Sequence, residues 1–303
     1  MNFYMSFLLS AACCLVNGHH DFGYDGSMGP SNWPQEYSNC AGKYQSPIDI
    51  EEHLVRHVRL PALKFQGFDA TPVSSTLTNN GHTVMLQLKT VEEACISGGP
   101  LLGRYVFSQL HFHWGSNNSI GSESTINNHS FPLELHMVFY KDQYGNFDEA
   151  LKHSDGLTVI GLFYELYGPG NSVYNEIVEM LPQVTAPQTN TKLEKQITLG
   201  SLLPEDRLLY FTYNGSLTTP PCSEVVTWIE FKQPILLSEP QVAAFRKLRT
   251  DSGLMTHNFR PVQPLSGRLV LFNMAEAYSS ADLKHYSVTV LLMSLLVHTV
   301  FKR

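Results

Sequence analysis

Apolar residues recur at every second position along several short stretches of the chain, which is the spacing of half-buried β-strands. This alternation, or a short unbroken apolar run, predicts strands at residues 83–88, 105–114, 133–140, 157–163, 208–213, 225–231 and 269–272. Two segments follow the helical period instead: residues 172–181, and the segment opened by the capping box Ser238-Glu239-Pro240-Gln241. The pattern predicts a large sheet with peripheral helices.

Composition limits the classes of protein that fit this pattern. The 303 residues are 43% hydrophobic and 16% charged, which is enough apolar material for one large core. Lys and Arg number 20 against 27 Asp and Glu, a net charge of −7, so no nucleic-acid partner is expected. We find no repeat or linker, and the turn-rich residues 181–191 are interpreted as a surface loop. A single domain is predicted.

The first residues have the pattern of a secretory signal. Residues 1–16 are apolar, and Gly18 stands where a signal peptidase requires a small residue, which predicts cleavage after Gly18. A buried N-terminal helix is the alternative, but the polar, Gly-rich residues that follow do not continue an amphipathic pattern. We predict a signal peptide at residues 1–18 and a mature chain that begins at His19.

The last residues contain a second apolar run. Residues 288–300 are 13 in number, short of the roughly 20 that a membrane-spanning helix needs. Small residues at 279–281 precede a short polar spacer at 282–287, an order that favours exchange for a glycolipid (GPI) anchor. We predict a domain at 19–280, a C-terminal propeptide at 281–303 and an extracellular, GPI-anchored enzyme, with soluble secretion or an exposed C-terminal helix as the alternatives.

Cysteines and sequons are consistent with a secretory route. Removal of residues 1–18 leaves Cys40, Cys95 and Cys222, which allow three different disulfide pairs in an oxidising compartment. Sequons occur at Asn117, Asn128 and Asn214, and the first two are predicted to carry glycans.

Candidate chemistry is concentrated in two of the predicted strands. Period-two spacing places Gln109, His111 and His113 on one face of the first strand, and Glu134, His136 and Val138 on one face of the second. An HxH pair alone is more typical of two histidines on a half-buried strand than of a metal site. With the second triplet beside it, the pattern predicts three converging imidazoles, the ligand set of a catalytic zinc ion that keeps an open position. Gln109 and Glu134 are placed to orient the ligands.

The chain resembles the α-class carbonic anhydrases. The motifs that carry the resemblance are YQSPIDI (44–50), NNGH (79–82), QLHFHWGS (109–116), the ELH triplet (134–136), GSLTTPP (215–221) and FRPVQPL (259–265). The resemblance extends from about residue 22 to residue 272. It implies a mainly β (α+β) single domain with a twisted, mostly antiparallel central sheet. It also implies a zinc lyase that interconverts carbon dioxide and bicarbonate.

The resemblance also implies roles for individual residues. His111, His113 and His136 match the zinc ligands, with Gln109 and Glu134 as the residues that orient them. Thr218 matches the threonine that accepts a hydrogen bond from the reacting hydroxide, Glu123 the carboxylate that takes the Thr218 proton, and His82 the proton shuttle. The residues that match the carbon dioxide pocket are Val138, Val159, Leu217, Thr218, Thr219, Val226 and Trp228. Secreted relatives pair a cysteine near the N-terminus with one just after TTPP, which implies a Cys40–Cys222 disulfide.

One departure from the family pattern affects the expected site. The family usually has histidine immediately after the carboxylate residue that is Glu123 here, and Ser124 stands in that position instead. We therefore expect a weaker buried hydrogen-bond network near Glu134. The competing function is a catalytically silent binding or matrix protein of the same family, which loss of a zinc ligand would indicate. A zinc hydrolase for larger substrates is less compatible with the bulky pocket. Partner proteins are not indicated by the sequence.

Overall fold

The structure, a computed structural model, describes residues 22–274. The predicted signal peptide (1–18) and C-terminal propeptide (281–303) lie outside the described residues, as do both ends of the predicted 19–280 domain. Within residues 22–274, no helix combines the length and the apolar character that crossing a bilayer requires.

Short strands dominate the described part of the chain. In chain order they are β1 (Asp49–Ile50), β2 (Arg56–Val58), β3 (Lys64–Gln66), β4 (Ser74–Asn79), β5 (Val84–Lys89), β6 (Cys95–Ser97), β7 (Tyr105–Trp114), β8 (Thr125–Ile126), β9 (Leu133–Lys141), β10 (Leu157–Leu166), β11 (Thr189–Lys192), β12 (Tyr210–Gly215), β13 (Val226–Leu237), β14 (Arg249–Thr250), β15 (Gly253–Leu254) and β16 (Leu271–Asn273). The α-helices are α1 (Trp33–Glu36), α2 (Phe147–Ala150), α3 (Asn175–Met180) and α4 (Glu239–Phe245). Single 3-10 turns occur at Gly26–Met28, Ser38–Ala41, Asp142–Tyr144, Ser172–Tyr174, Leu181–Val184 and Gly200–Leu202.

One twisted sheet of 12 strands organises the domain. Its order is β11-β4-β5-β7-β9-β10-β13-β12-β16-β2, with β6 also beside β7 and β3 beside β6. Within this sheet, β10 pairs with β13 and β16 with β2 in parallel, and the other pairs are antiparallel. The predicted mainly β, mostly antiparallel architecture with short peripheral helices is confirmed.

The seven predicted strands correspond to β5, β7, β9, β10, β12, β13 and β16. The prediction of a surface loop at residues 181–191 is wrong. Leu181 and Val184 are buried in the core, and Thr189 begins β11, which pairs with β4 at the edge of the sheet. An edge strand leaves one side exposed, so its Thr-Asn-Thr-Lys sequence has the polar composition of a loop.

The two predicted helices differ in how regular they are. The capping box at the start of α4 is formed: the side chain of Gln241 accepts a hydrogen bond from the amide of the N-cap residue Ser238 at 3.0 Å. Residues 172–181 instead divide into a 3-10 turn and α3, and a second 3-10 turn begins at Leu181. Pro182, which lacks an amide hydrogen, lies in that second turn.

The sheet is buried on both faces where the candidate chemistry lies. On β9, Leu135 and Met137 point into the larger apolar core. Glu134, His136 and Val138 alternate with them and point to the other face, where all three are nearly inaccessible. Polar and ionisable groups therefore sit on a rigid, buried surface rather than on a loop.

Candidate metal centre

Three imidazoles converge where β7 and β9 run side by side. The antiparallel register pairs His111 directly with His136, and His113 lies two residues further along β7 on the same face. One ring nitrogen from each histidine lies within 4.8 Å of the other two. The structure therefore brings the three predicted ligands together.

The second nitrogen of each ring has its own acceptor. His111 Nδ1 lies 2.9 Å from Gln109 Oε1, and His136 Nε2 lies 2.6 Å from Glu134 Oε1. The third contact joins His113 Nδ1 to the backbone carbonyl of Asn258 at 2.8 Å. Because these oxygens accept, the nitrogens that face them carry hydrogen, and Nε2 of His111, Nε2 of His113 and Nδ1 of His136 are left as lone-pair donors.

The Asn258 contact was missed by the sequence reasoning. A backbone carbonyl carries no residue-type signal, and Asn258 lies 145 positions from His113 along the chain. Only the folded path of the segment before the FRPVQPL motif brings them together. The side chain of Asn258 adds to this contact, since its Oδ1 accepts from the Trp114 amide at 2.7 Å.

Burial keeps the three imidazoles neutral. It lowers the pKa of His113 to about 4, and it lowers the pKa values of His111 and His136 well below the usual range, with the neighbouring histidines adding to the effect. Neutral imidazole is the form that binds a metal ion. His113 Nε2 is moreover buried without a hydrogen-bond partner among the described residues. A metal ion that accepts three nitrogen donors fits this arrangement, and among residues 22–274 the donor group consists of these three histidines.

Glu123 lies beside the donor nitrogens of the histidine group. Its Oε2 lies 3.5 Å from His113 Nε2 and 3.9 Å from His136 Nδ1. Its Oε1 accepts a hydrogen bond from the Arg260 amide at 2.8 Å. Burial raises the pKa of Glu123 to about 8, against the lowering effects of the Arg260 amide and the Thr218 side chain. Thr218 is buried, and its hydroxyl is close enough to Glu123 to lower that pKa, so the predicted Thr218 and Glu123 pair lies beside His113.

An apolar layer borders the histidines. Val138, Val159, Val226 and Trp228 pack in one cluster, and Leu217 packs against it half-buried. The Trp228 ring meets the His136 ring edge to face, with centroids 4.8 Å apart, and its Nε1 donates to the Ser216 carbonyl at 3.1 Å. The layer thus reaches the metal ligands. Thr219, the remaining predicted pocket residue, is half-buried in the adjoining loop.

A disulfide fixes the loop that carries Thr218. Cys40 is bonded to Cys222, 182 positions away, and Cys95 is a free, buried thiol. The buried guanidinium of Arg260 reinforces this join, since it donates to the Cys40 carbonyl at 3.1 Å and to Gln45 Oε1 at 2.9 Å. The N-terminal segment is therefore tied to the loop beside the metal centre.

His82 lies on the turn between β4 and β5 and is half-buried. Its amide donates to Asn80 Oδ1 at 2.9 Å, and its carbonyl accepts from Asn258 Nδ2 at 3.1 Å. Asn258 therefore contacts both His82 and the metal ligand His113.

Both predicted glycosylation sites, Asn117 and Asn128, lie on exposed turns.

Comparison with known proteins identifies similar chains. A family model described as eukaryotic-type carbonic anhydrase matches residues 28–274. The Mus musculus protein named Carbonic anhydrase 7 is 41% identical over 263 residues, which is 84% of this chain and 98% of that protein. The Homo sapiens protein of the same name is 40% identical over 263 residues, with the same coverage of 84% and 98%.

Proposed function

Because this chain belongs to the eukaryotic-type carbonic anhydrase family and is an enzyme of that class, we propose that it catalyses the reversible hydration of carbon dioxide at the histidine centre. The products are bicarbonate and a proton. The observation that carries the proposal is the group of three neutral, individually oriented imidazoles, His111, His113 and His136. Loss of a zinc ligand would indicate the silent alternative, and all three histidines are present.

Zinc is the cofactor of this family, and the three histidines would hold it. Bound there, the ion supplies Lewis-acid chemistry that allows a water molecule to ionise at a pKa of about 7, the reference value established for carbonic anhydrases. The protein contributes the orientation of the ligands. Gln109, Glu134 and the Asn258 carbonyl each fix one ring, so that the three lone pairs point to one place.

Thr218 and Glu123 are proposed to orient the nucleophile. A bound dication would favour the ionised form of the nearby Glu123 carboxyl group, and if the Thr218 hydroxyl donates its hydrogen to that carboxylate, its oxygen can only accept from the nucleophile. This selects which lone pair of the nucleophile faces the substrate. The Arg260 amide holds Glu123 Oε1, so the carboxylate does not turn away from the site.

The apolar layer is proposed to bind carbon dioxide. The substrate is apolar and offers little for hydrogen bonding, so Val138, Val159, Leu217, Val226 and Trp228 position it by shape and by exclusion of water. Their bulk also disfavours larger substrates. Thr218 and Thr219 supply the polar edge of this pocket.

His82 is proposed to carry the proton to solvent. An imidazole with the usual pKa of about 6.5 accepts and releases a proton near neutral pH. Its half-buried position on a turn suits a group that exchanges with water. Contacts of Asn80 and Asn258 with the His82 backbone hold that turn in place.

The test of this function is carbon dioxide hydration by the purified protein, followed by stopped-flow with a pH indicator. We expect activity that a strong zinc chelator abolishes and that added zinc restores. A folded, zinc-loaded protein that hydrates no carbon dioxide would contradict the proposal and favour the silent alternative.

We also propose that the enzyme follows the secretory pathway and is held on the outer cell surface by a glycolipid. Support comes from the apolar segments at 1–16 and 288–300, from the exposed sequons at Asn117 and Asn128, and from a disulfide typical of oxidising compartments. Phosphatidylinositol-specific phospholipase C should release activity from intact cells. Activity that stays on the cells, or a mature C-terminus at Lys302-Arg303, would contradict the anchor without affecting the catalytic assignment.

A further inference from the structure

A buried glutamate that the proposed mechanism does not use lies in the same cross-strand row as a metal ligand. The register places His136 on β9 opposite Gly161 on β10, and Gly161 opposite Glu230 on β13. A Cβ atom at position 161 would overlap the carboxyl of Glu230. Because glycine leaves this space open, the Glu230 side chain extends across β10 towards β9.

The environment of Glu230 marks it as more than a space-filling residue. The side chain is fully buried, and its neighbours on β13 are the apolar Ile229 and Phe231. One carboxyl oxygen, Oε1, accepts a hydrogen bond from Ser124 Oγ at 3.1 Å. Burying a carboxyl group is costly unless its contacts compensate, and an apolar residue would occupy the same strand position without that cost.

Ser124 connects Glu230 to the metal centre. Its side chain donates to Glu230, and its backbone amide donates to Glu134 Oε2 at 3.0 Å. The Glu123 amide donates to the same oxygen at 2.8 Å, and Glu134 Oε1 holds His136 Nε2. A continuous set of hydrogen bonds thus runs from Glu230 through Ser124 and Glu134 to His136.

This arrangement also changes the expectation for Ser124. A serine in place of the family's usual histidine predicts a weaker network around Glu134. In the structure the Ser124 hydroxyl has a partner on β13, and a second bond, from Ser122 Oγ to the Ser124 carbonyl at 2.7 Å, holds the backbone from the other side. Position 124 is therefore fixed in spite of its short side chain.

We propose that Glu230 is a positioning residue for the metal centre: through Ser124 it holds the amides of residues 123 and 124 against Glu134, and thereby fixes the orientation of His136. The inference rests on the proposed function because it assumes that the three histidines hold zinc. The other ionisable side chains whose charges act on Glu230, or on which its charge acts, are Glu123, Glu134 and Tyr213.

The test compares the retention of zinc by the full zinc-loaded chain with the folding stability of the same chain after zinc has been removed. Glu230→Val removes the acceptor, Glu230→Gln keeps an acceptor oxygen and the volume, and Ser124→Ala removes the donor. Glu176→Val is the matched control. Glu176, on helix α3, is also a buried glutamate, and its carboxyl group accepts hydrogen bonds from the amides of residues 194 and 195. The two readouts are the rate of zinc loss into excess chelator and the urea midpoint of the zinc-free protein.

We expect Glu230→Val and Ser124→Ala each to lose zinc about 10-fold faster, because a loss of affinity at the lower end of the 10- to 100-fold range for residues that orient metal ligands should appear in the dissociation rate. The double variant should be no faster than either single variant, because both remove the same link. Glu230→Gln should stay within about 3-fold of the unmodified rate. Glu176→Val should lower the urea midpoint and leave the rate of zinc loss unchanged.

Several outcomes would overturn the inference. These are equal zinc loss in all variants, additive effects in the double variant, zinc loss from Glu230→Gln as fast as from Glu230→Val, or zinc loss that rises with every drop in the urea midpoint, the Glu176→Val control included. If Glu230→Val does not fold, the rates of zinc loss from Ser124→Ala and Glu230→Gln still test the inference. A protein that holds zinc through this link but hydrates no carbon dioxide would contradict only the proposed function.

Discussion

The imidazole ring of His82 is stacked on the ring of Phe22, with centroids 4.0 Å apart and planes 10° from parallel. Phe22 is nearly buried and packs edge to face on Trp33, so this stack gives the His82 ring a fixed support at the N-terminal segment. The proposed proton shuttle is therefore held by a residue outside the β4 to β5 turn.

Replacement of this imidazole tests the shuttle. We expect His82→Ala to slow the buffer-dependent step of hydration at least tenfold in weak buffer, since a positioned acid or base typically contributes about 10²- to 10⁴-fold. Small imidazole buffers should restore the rate. Stopped-flow hydration at increasing buffer concentration measures this effect, and an unchanged rate in weak buffer would argue against a shuttle at position 82.

Thr218→Ala should have a different kinetic signature. The substitution removes the orientation of the nucleophile, so hydration should fall at every buffer concentration. Imidazole should give no recovery, because proton transport is intact. The comparison with His82→Ala is its internal control, and equal recovery of both variants would remove the distinction between the two roles.

Loss of a single imidazole should abolish tight metal binding. His136→Ala is expected to reduce zinc from one ion per chain to a small fraction of that value, together with hydration. His53→Ala is the matched control, because that side chain is 71% exposed and lies outside the histidine group. Metal analysis of the dialysed proteins measures the effect. Full zinc content in His136→Ala would refute its assignment as a ligand.

Gln109 should matter for metal affinity although it does not bind the metal. Gln109→Ala removes the acceptor for His111 Nδ1, so we expect zinc affinity to fall about 10- to 100-fold. Gln143→Ala, on an exposed turn, serves as the control. Competition with a chelator of known affinity gives the two constants, and equal values would mean that His111 needs no such orientation.

The disulfide should contribute substantially to stability. Its loop of 182 positions is long, and removal of a native disulfide typically costs roughly 2–5 kcal/mol in the free energy of unfolding. We expect that loss for the Cys40→Ser, Cys222→Ser double variant and a smaller one for Cys95→Ser. Denaturant unfolding measures both. Peptide mapping that finds Cys95 oxidised would contradict the observed pairing.

The strands that carry the metal ligands were predictable because their sequences alternate. On β7 and β9 the apolar positions belong to the core and the positions between them carry the imidazoles, so one period defines both the element and the site. The edge strand β11 lacks this contrast, since only one of its sides is paired and its polar residues resemble a loop.

Contacts made by backbone atoms account for much of what the sequence did not reveal. The Asn258 carbonyl orients His113, and the amides of residues 123 and 124 hold Glu134, yet every residue type has these groups. Glu230 is a different case. Its carboxyl lies in an apolar run that predicts only a buried strand, and its partner Ser124 is distant in sequence, so only the three-dimensional register relates them.

The metal centre is built from contacts that span very different lengths of chain. His111 and His136 lie 25 positions apart on adjacent antiparallel strands, whereas the contact of Thr158 with Thr227 joins positions 69 apart and the contact of His113 with Asn258 spans 145. Contacts between distant positions form more slowly during folding. As the chain is synthesised, the three metal ligands precede Thr218, Trp228 and Asn258. Because the Asn258 carbonyl orients His113, a metal ion held before that segment folds would lack one oriented ligand, so tight capture of the ion waits for the last part of the domain.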